Sequence, residues 1–359
     1  MPPQAEADTS TTGVLYESDV QTKDGGLDRE VAGMKYAGSK KYDLVYANII
    51  WFILLHIASL YALYVAFADT MWQTNVFAFV CYLQSGMGIT AGVHRLWAHK
   101  AFKAKWPLRL TLMLWNTMAF QDSVIDWARD HRVHHKYSDT DADPHNAVRG
   151  FFFAHVGWLC CRKSDQVKAK GQLIDMSDLE NDPILAFQKK YYMKLMPLVC
   201  FILPTVIPVY GWDESWANAF LVPTLLRYAI VLNATWSVNS FAHFFGHRPY
   251  DNALNPRENL GVACVALGEG FHNFHHTFPW DYKSSELPFY TLPNPSSAFI
   301  DFMAYIGQAS DLKTVSNAVV RRRAKRTGDG THKIWGWDDT DLTAEFKKDV
   351  TIHRPTKAN

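Results

Sequence analysis

The chain alternates between long apolar runs and long polar stretches, and that alternation sets its architecture. Residues 1–42 are polar, rich in Thr, Asp, Lys and Gly, and read as an arm with no core of its own. Ala47 to Ala68 then runs for 22 residues without a charge. At about 1.5 Å per residue that is long enough to cross a hydrocarbon layer of about 30 Å. A second apolar run, Thr74 to Val93, contains Gly86, Gly88 and Gly92, small residues that let another helix or a ligand approach the backbone. Residues 94–190 are charged and broken by Pro107, Pro144 and Pro183. They hold one apolar helix, Leu108 to Phe120, too short to span and expected at the interface or buried against the polar part. A second pair of spans follows, Met193 to Tyr210 and Ala217 to Asn239; Arg227, Asn233 and Asn239 in the latter should face protein or a cavity. From His243 the chain is polar again and ends in a basic, Gly-containing tail. The pattern predicts an all-α polytopic membrane protein, with four spans in two hairpins (about 47–68, 74–93, 193–210 and 217–239) under a helical cap. Residues 43–337 form one membrane-embedded domain and 338–359 a polar tail.

Charge orients this frame. The short links, Asp69 to Gln73 and Gly211 to Trp216, contain no Lys or Arg, whereas Lys40 and Lys41 precede the first span and the long segments hold nearly all other basic residues. The positive-inside rule therefore puts both termini and the cap in the cytosol. A net charge of +1 argues against nucleic acid as a partner. The five cysteines form no CxxC, which fits reduced thiols rather than a disulfide framework or a thiolate metal site. The first apolar run begins only near residue 44, so no cleavable signal is expected. Asn233-Ala-Thr235 matches a glycosylation sequon, but inside a span the match is accidental.

Histidine clustering supplies the chemistry. HRLWAH holds His94 and His99, HRVHH holds His131, His134 and His135, and HNFHH holds His272, His275 and His276; His243 lies one turn beyond Asn239. Histidines at i, i+3 and i+4 lie side by side on a helix, so each HxxHH offers three imidazoles in one direction. The HxxxxH pair spans about 1.4 turns, so its rings converge only if the helix bends or ends there. Nine imidazoles exceed what one ion takes, usually about four to six ligands, but suffice for two ions. Glu269, in the single Glu-x-x-His of the boxes, and Asp130, beside His131, are candidates to orient a ring. His56, His145, His155, His247, His332 and His353 read as packed or solvated side chains. A metal transporter would hold its ligands inside the spans near midplane; here the boxes lie at or beyond span ends, which favours a fixed site.

The three boxes resemble those of the membrane fatty acyl-CoA desaturases. The longer runs GITAGVHRLWAH, DWARDHRVHHKYSDTDADPHN and GEGFHNFHHTFPWDY are similar to the delta-9 (stearoyl-CoA) branch, most of all its insect members, over about residues 40–337. The resemblance implies two irons (Fe2+) held by the nine histidines, with Asn239 acting through a water. It implies O2 as co-substrate, cytochrome b5 with its NADH reductase as electron source, an endoplasmic reticulum membrane, and long-chain (C16–C18) acyl-CoA as substrate. It further implies that Trp127, Trp236 and Gln121 line a bent acyl tunnel closed by Tyr82 and Gly86, and that Asn48, Arg129, Asp130, Arg162 and Lys163 contact the CoA head. Asp122 departs from the Asn of the vertebrate enzymes, and the Asn255 to Glu258 stretch lies where the family varies with regioselectivity. Because related hydroxylases and desaturases acting at other carbons share the boxes, these remain the alternatives to delta-9 desaturation.

Overall fold

The structure is a computed structural model and describes residues 42–332 except 289, 291 and 292, together with 344 and 348. The polar arm up to residue 41 and, apart from those two residues, the tail 338–359 lie outside the described residues. Among the described residues four helices are long and apolar enough to cross a membrane: α1 (Tyr46–Ala68), α2 (Trp72–Ala98), α5 (Pro183–Trp212) and α6 (Trp216–Phe244). Between the hairpins lie α3 (Trp106–Ala119) and α4 (Val124–Lys136). Beyond α6 come α7 (Leu260–Val265), α8 (His272–Thr277) and α9 (Asn317–Thr327). The only ladder among the described residues pairs Lys103–Ala104 antiparallel with Ala309–Ser310.

Three of the spanning helices outrun the predicted apolar segments, at 27, 30 and 29 residues. A hydrocarbon layer needs only about 20 residues, so helical order continues past the charge-free stretch. In α2 and α6 the added turns carry histidines. The spans are ordered up-down-up-down, so the ends of α2 and α6 that hold histidine lie on the same side as the starts of α1 and α5. At the opposite side Glu214 ties the hairpins together: its carboxylate accepts from Met71 N (3.0 Å), Thr74 Oγ1 (2.7 Å) and Asn218 Nδ2 (3.1 Å).

The small residues and buried polar groups behave as the sequence predicts. A Cβ on Gly88 would stand 2.2 Å from Asn116 N and 2.3 Å from Trp115 C, so α3 lies backbone against backbone on α2. Arg227, 2 % exposed, donates to Met118 O (2.8 Å), Cys200 O (2.8 Å) and Pro223 O (3.1 Å), joining α3, α5 and α6. Such multiple carbonyl contacts are what a buried guanidinium needs in an apolar setting. Asn233 bonds Ala229 O (2.8 Å) and stands 3.1 and 3.2 Å from His56 and His155. All five cysteines are free thiols.

Candidate metal centre

The nine histidines of the boxes and α6 are all buried and form two groups. His94, His99, His131, His135 and His275 make one; His134, His243, His272 and His276 make the other. Each HxxHH is divided between them, which corrects the expectation that its three rings share one direction. Neighbouring residues on a helix point about 100° apart, so i and i+4 pair while the remaining ring turns to the other group. Thus His131 and His135 of α4 enter the first group and His134 the second, whereas α8 gives His272 and His276 to the second and His275 to the first.

The HxxxxH pair converges by a different device. From Gly88 to Ala98 α2 widens into a π-helix, and His99 N donates to His94 O at 3.1 Å, an i→i+5 bond. The wider turn brings residues five apart to the same side, and the two rings meet edge-on, 4.9 Å between centroids and 84° between planes. The helix also ends there, with His99 as its C-cap, as the spacing required.

The ring nitrogens face inward at a telling spacing. His275 Nε2 is 2.9 Å from His94 Nε2 and 3.0 Å from His135 Nε2; His99 and His131 meet at 2.8 Å, His272 and His276 at 3.2 Å. A neutral imidazole has one donor and one acceptor nitrogen, and a single His275 Nε2 cannot satisfy two facing lone pairs. Nitrogens about 2.1 Å from a shared ion and at right angles stand about 3 Å apart, so the spacing fits metal ligation. Burial holds His99, His131, His135, His272, His275 and His276 well below the ordinary histidine value of 6.5, leaving them in the neutral form that a metal binds. His134 Nε2 is buried without a protein partner.

Carboxylates orient the rings from behind. His94 Nδ1 stands 3.0 Å from Glu269 Oε2, and Arg95 donates to Glu269 Oε1 from Nε (3.0 Å) and Nη2 (2.8 Å). Burial alone would raise the Glu269 carboxyl, but Arg95 and His94 beside it bring it below its ordinary value. The sequence reading of Glu269 therefore holds, whereas that of Asp130 fails: Asp130 pairs with Lys163, not with His131. Consecutive helix positions diverge too far for Asp130 to reach the neighbouring ring. The carboxylate that sequence reasoning missed is Asp143, whose oxygens lie 2.9 and 3.0 Å from His134 Nδ1. Burial opposes its charge, yet His134 and two backbone N–H groups, of Asp139 and His145, help hold it at about 2. His145, also read as bland, lies 3.5 Å from Asp143 and edge-on to Trp158. The signal was available in the DADPHN run directly after α4, where a tight turn can bring an acid back onto the preceding helix.

Two cavities meet at this centre. One of about 60 Å3, mostly apolar, runs from His94, His131 and His134 to Tyr82, Gly86 and Leu267. The other, about 300 Å3, opens past Asn48, Gln121, Asp122, Asp130 and Trp236. Trp127, His131, Thr235 and Asn239 line both. Trp127 stacks on His131 at 4.8 Å and 21°. Gln121 Nε2 donates to Thr235 Oγ1 (3.0 Å) at the junction, just after the left-handed turn of Phe120 (φ 47°) and before that of Asp122 (φ 73°). Burial raises the Asp122 carboxyl. Asn48 Nδ2 donates to Leu159 O (2.8 Å) at the mouth. Arg129 and Lys163 join Asp130 around an adjoining surface pocket. Arg162 instead pairs with Asp43 at 3.2 Å and lines neither cavity.

The comparisons agree with this geometry. The fatty acid desaturase family profile matches residues 70–307. An acyl-CoA delta-9 desaturase of Acheta domesticus is 56% identical over 94% of this chain and 95% of its own. A delta-12 acyl-CoA desaturase of the same cricket is 52% identical over 96% and 97%. A delta-11 acyl-CoA desaturase of Spodoptera littoralis is 55% identical over 87% and 91%. Four membrane-spanning helices, nine buried histidines converging in two groups and relatives of this similarity over nearly the whole length together place the chain in the membrane fatty acyl-CoA desaturase family.

Proposed function

We propose that this enzyme is an acyl-CoA delta-9 desaturase of saturated C16–C18 chains, working at a di-iron centre in the endoplasmic reticulum membrane, with the centre and both termini cytosolic. The observation that carries the reading is the meeting of a mostly apolar cavity and a larger, more polar one at His131 and Asn239. A long acyl chain would run through both, its methyl end in the first and its CoA head outside the second. Residues 43–337 act as one unit, flanked by the polar arm and tail.

The nine histidines are the iron ligands in this reading, five on one side and four on the other, with Asn239 completing the second sphere through a water. Iron bound there supplies the activation of O2 that abstraction from unactivated C–H bonds requires, since no side-chain acid or base can remove such hydrogens. The protein's own residues position and shield. Trp127 and Trp236 wall the acyl chain beside His131, and the Gln121–Thr235 bond fixes the bend between the cavities, where a chain is held in the curved form that a cis product keeps. Tyr82 and Gly86 close the far end. Asn48, Arg129, Asp130 and Lys163 surround the mouth, with Arg162 nearby; the arginines and the lysine suit the phosphates, and Asn48 and Asp130 suit the pantetheine amides. Electrons arrive from cytochrome b5, reduced by its NADH-dependent reductase.

A second regiochemistry has its own support, because delta-11 and delta-12 relatives are nearly as similar as the delta-9 one. Expression in desaturase-deficient yeast, with the double bond located by mass spectrometry, separates the readings. A delta-9 monoene supports the proposal, a double bond elsewhere replaces it, and a hydroxylated product moves the chain to the sister chemistry.

A further inference from the structure

α9 is the basic element of the described chain: Arg321, Arg322, Arg323, Lys325 and Arg326 fall within six residues, and no acid occurs from 312 to 328. Its apolar side is already occupied. Val320 and Ala324 are buried against Tyr250, Phe274 and Phe278, and Phe274 belongs to α8, between His272 and His275.

Hydrogen bonds make a second link to the same helix. Arg323 pairs with Asp251. Tyr250 N and Asp251 N donate to Asn273 Oδ1 at 2.9 and 3.1 Å, and Asn273 Nδ2 returns to Asp251 O at 2.9 Å. At the end of α9, Thr327 Oγ1 donates to Tyr250 O (2.8 Å), and Gly328 packs so closely that a Cβ would meet Pro249 O at 2.1 Å. The basic helix therefore backs directly onto the element that carries three of the nine histidines. Arg322, Lys325 and Arg326 remain exposed; at spacings of three and four residues they share a face.

The chemistry requires an external electron donor. Taking two hydrogens from a methylene pair yields two electrons and two protons, whereas reducing O2 to two waters takes four of each. Two electrons and two protons must come from outside, and a one-electron carrier has to dock twice per turnover. We propose that the exposed face of α9 is the docking surface for an acidic electron-carrying protein, which delivers its electrons through the layer formed by α8. This inference rests on the desaturase reading. A cationic patch of this kind raises encounter rates with an acidic partner and is screened by salt. A lipid surface fits less well, because an interfacial helix binds by inserting its apolar side, and Val320 and Ala324 of α9 are buried within the protein, leaving Val319 as its one large apolar side chain in the open.

The test uses the full chain with stearoyl-CoA, O2 and two donors: the acidic soluble haem domain of cytochrome b5, kept reduced by its reductase, and a small uncharged chemical reductant. R322E/K325E should raise the KM for the protein donor at least ~10-fold at low salt and flatten its salt dependence. Its kcat at saturating donor and its rate with the small reductant should match the unmodified chain, and R322Q/K325Q should lie between. An unchanged KM overturns the proposal. So does an equal loss with both donors in both variants, which moves the effect to the metal centre. Loss of binding to phosphatidylserine vesicles with unaltered donor kinetics overturns it in favour of a lipid contact. Failure of the unmodified chain to form unsaturated product with either donor refutes the desaturase reading itself.

Discussion

The closed end of the apolar cavity offers the sharpest test of substrate length. Gly86 lies one turn from Tyr82 on α2, and both line the cavity, as does Leu267. A Cβ at position 86 would stand 2.4 Å from Leu267 Cδ1 and 3.4 Å from its Cγ, with no other heavy atom within 4 Å. The nearest obstacle is thus the tip of a flexible side chain, and Leu267 can turn aside for one methyl. Gly86→Ile adds three further carbons, and the space they take is that of the last carbons of the acyl chain. An eighteen-carbon chain buries two more methylenes than a sixteen-carbon one, worth about 0.8 kcal/mol each. Removing their room therefore forfeits about 1.6 kcal/mol, roughly a tenfold to fifteenfold shift in the ratio of kcat/KM for C18 over C16. Helix stability should not suffer, because replacing a helical glycine with a better helix former gains a few tenths of a kcal/mol. The assay offers myristoyl-, palmitoyl- and stearoyl-CoA in competition to purified wild-type, Gly86→Ala and Gly86→Ile enzyme and quantifies the monoenes by gas chromatography and mass spectrometry. Gly86→Ala should fall between the other two. A Gly86→Ile enzyme with wild-type product ratios would refute the assignment of this cavity to the methyl end of the chain.

Other consequences can be measured separately. Asp143→Asn removes the carboxylate behind His134, and loss of such an outer partner costs about 10–100-fold in metal affinity; elemental analysis should find about one metal lost per chain, from the four-histidine group, whereas Glu269→Gln should weaken the five-histidine group. Gly88→Ala puts a methyl 2.2 Å from the Asn116 amide nitrogen, which α3 can relieve only by moving its backbone, so thermal unfolding should show destabilisation of about 1–3 kcal/mol or more. Burial pushes the Glu258 carboxyl up to about 8 from its ordinary 4.5. A raised acid is neutral in the fold below the unfolded value and must ionise at a cost above it, so this contribution is full below pH 4.5 and is lost as pH rises through 8. Glu258→Gln should flatten the fall in melting temperature across that window; an unchanged profile would assign the dependence to another group.

Much of this protein was legible without coordinates. Charge-free runs of spanning length fix the number of membrane helices, because hydrocarbon admits few other solutions for the backbone. Histidine spacing marks the metal chemistry, because imidazoles at i, i+3 and i+4 are close whatever the rest of the chain does. Arg227 and the helix glycines announce buried contacts for similarly local reasons. What tertiary structure alone decided is how those pieces are shared out. The division of each HxxHH between two sites depends on where α2, α6 and α8 stand relative to α4. The convergence of His94 and His99 depends on a π-helical stretch pressed against α3, and Asp143 reaches His134 only because the chain turns back after α4. Nearest-neighbour spacing is written along one helix, whereas which ring meets which across helices is set by packing, and packing distances have no trace in sequence separation.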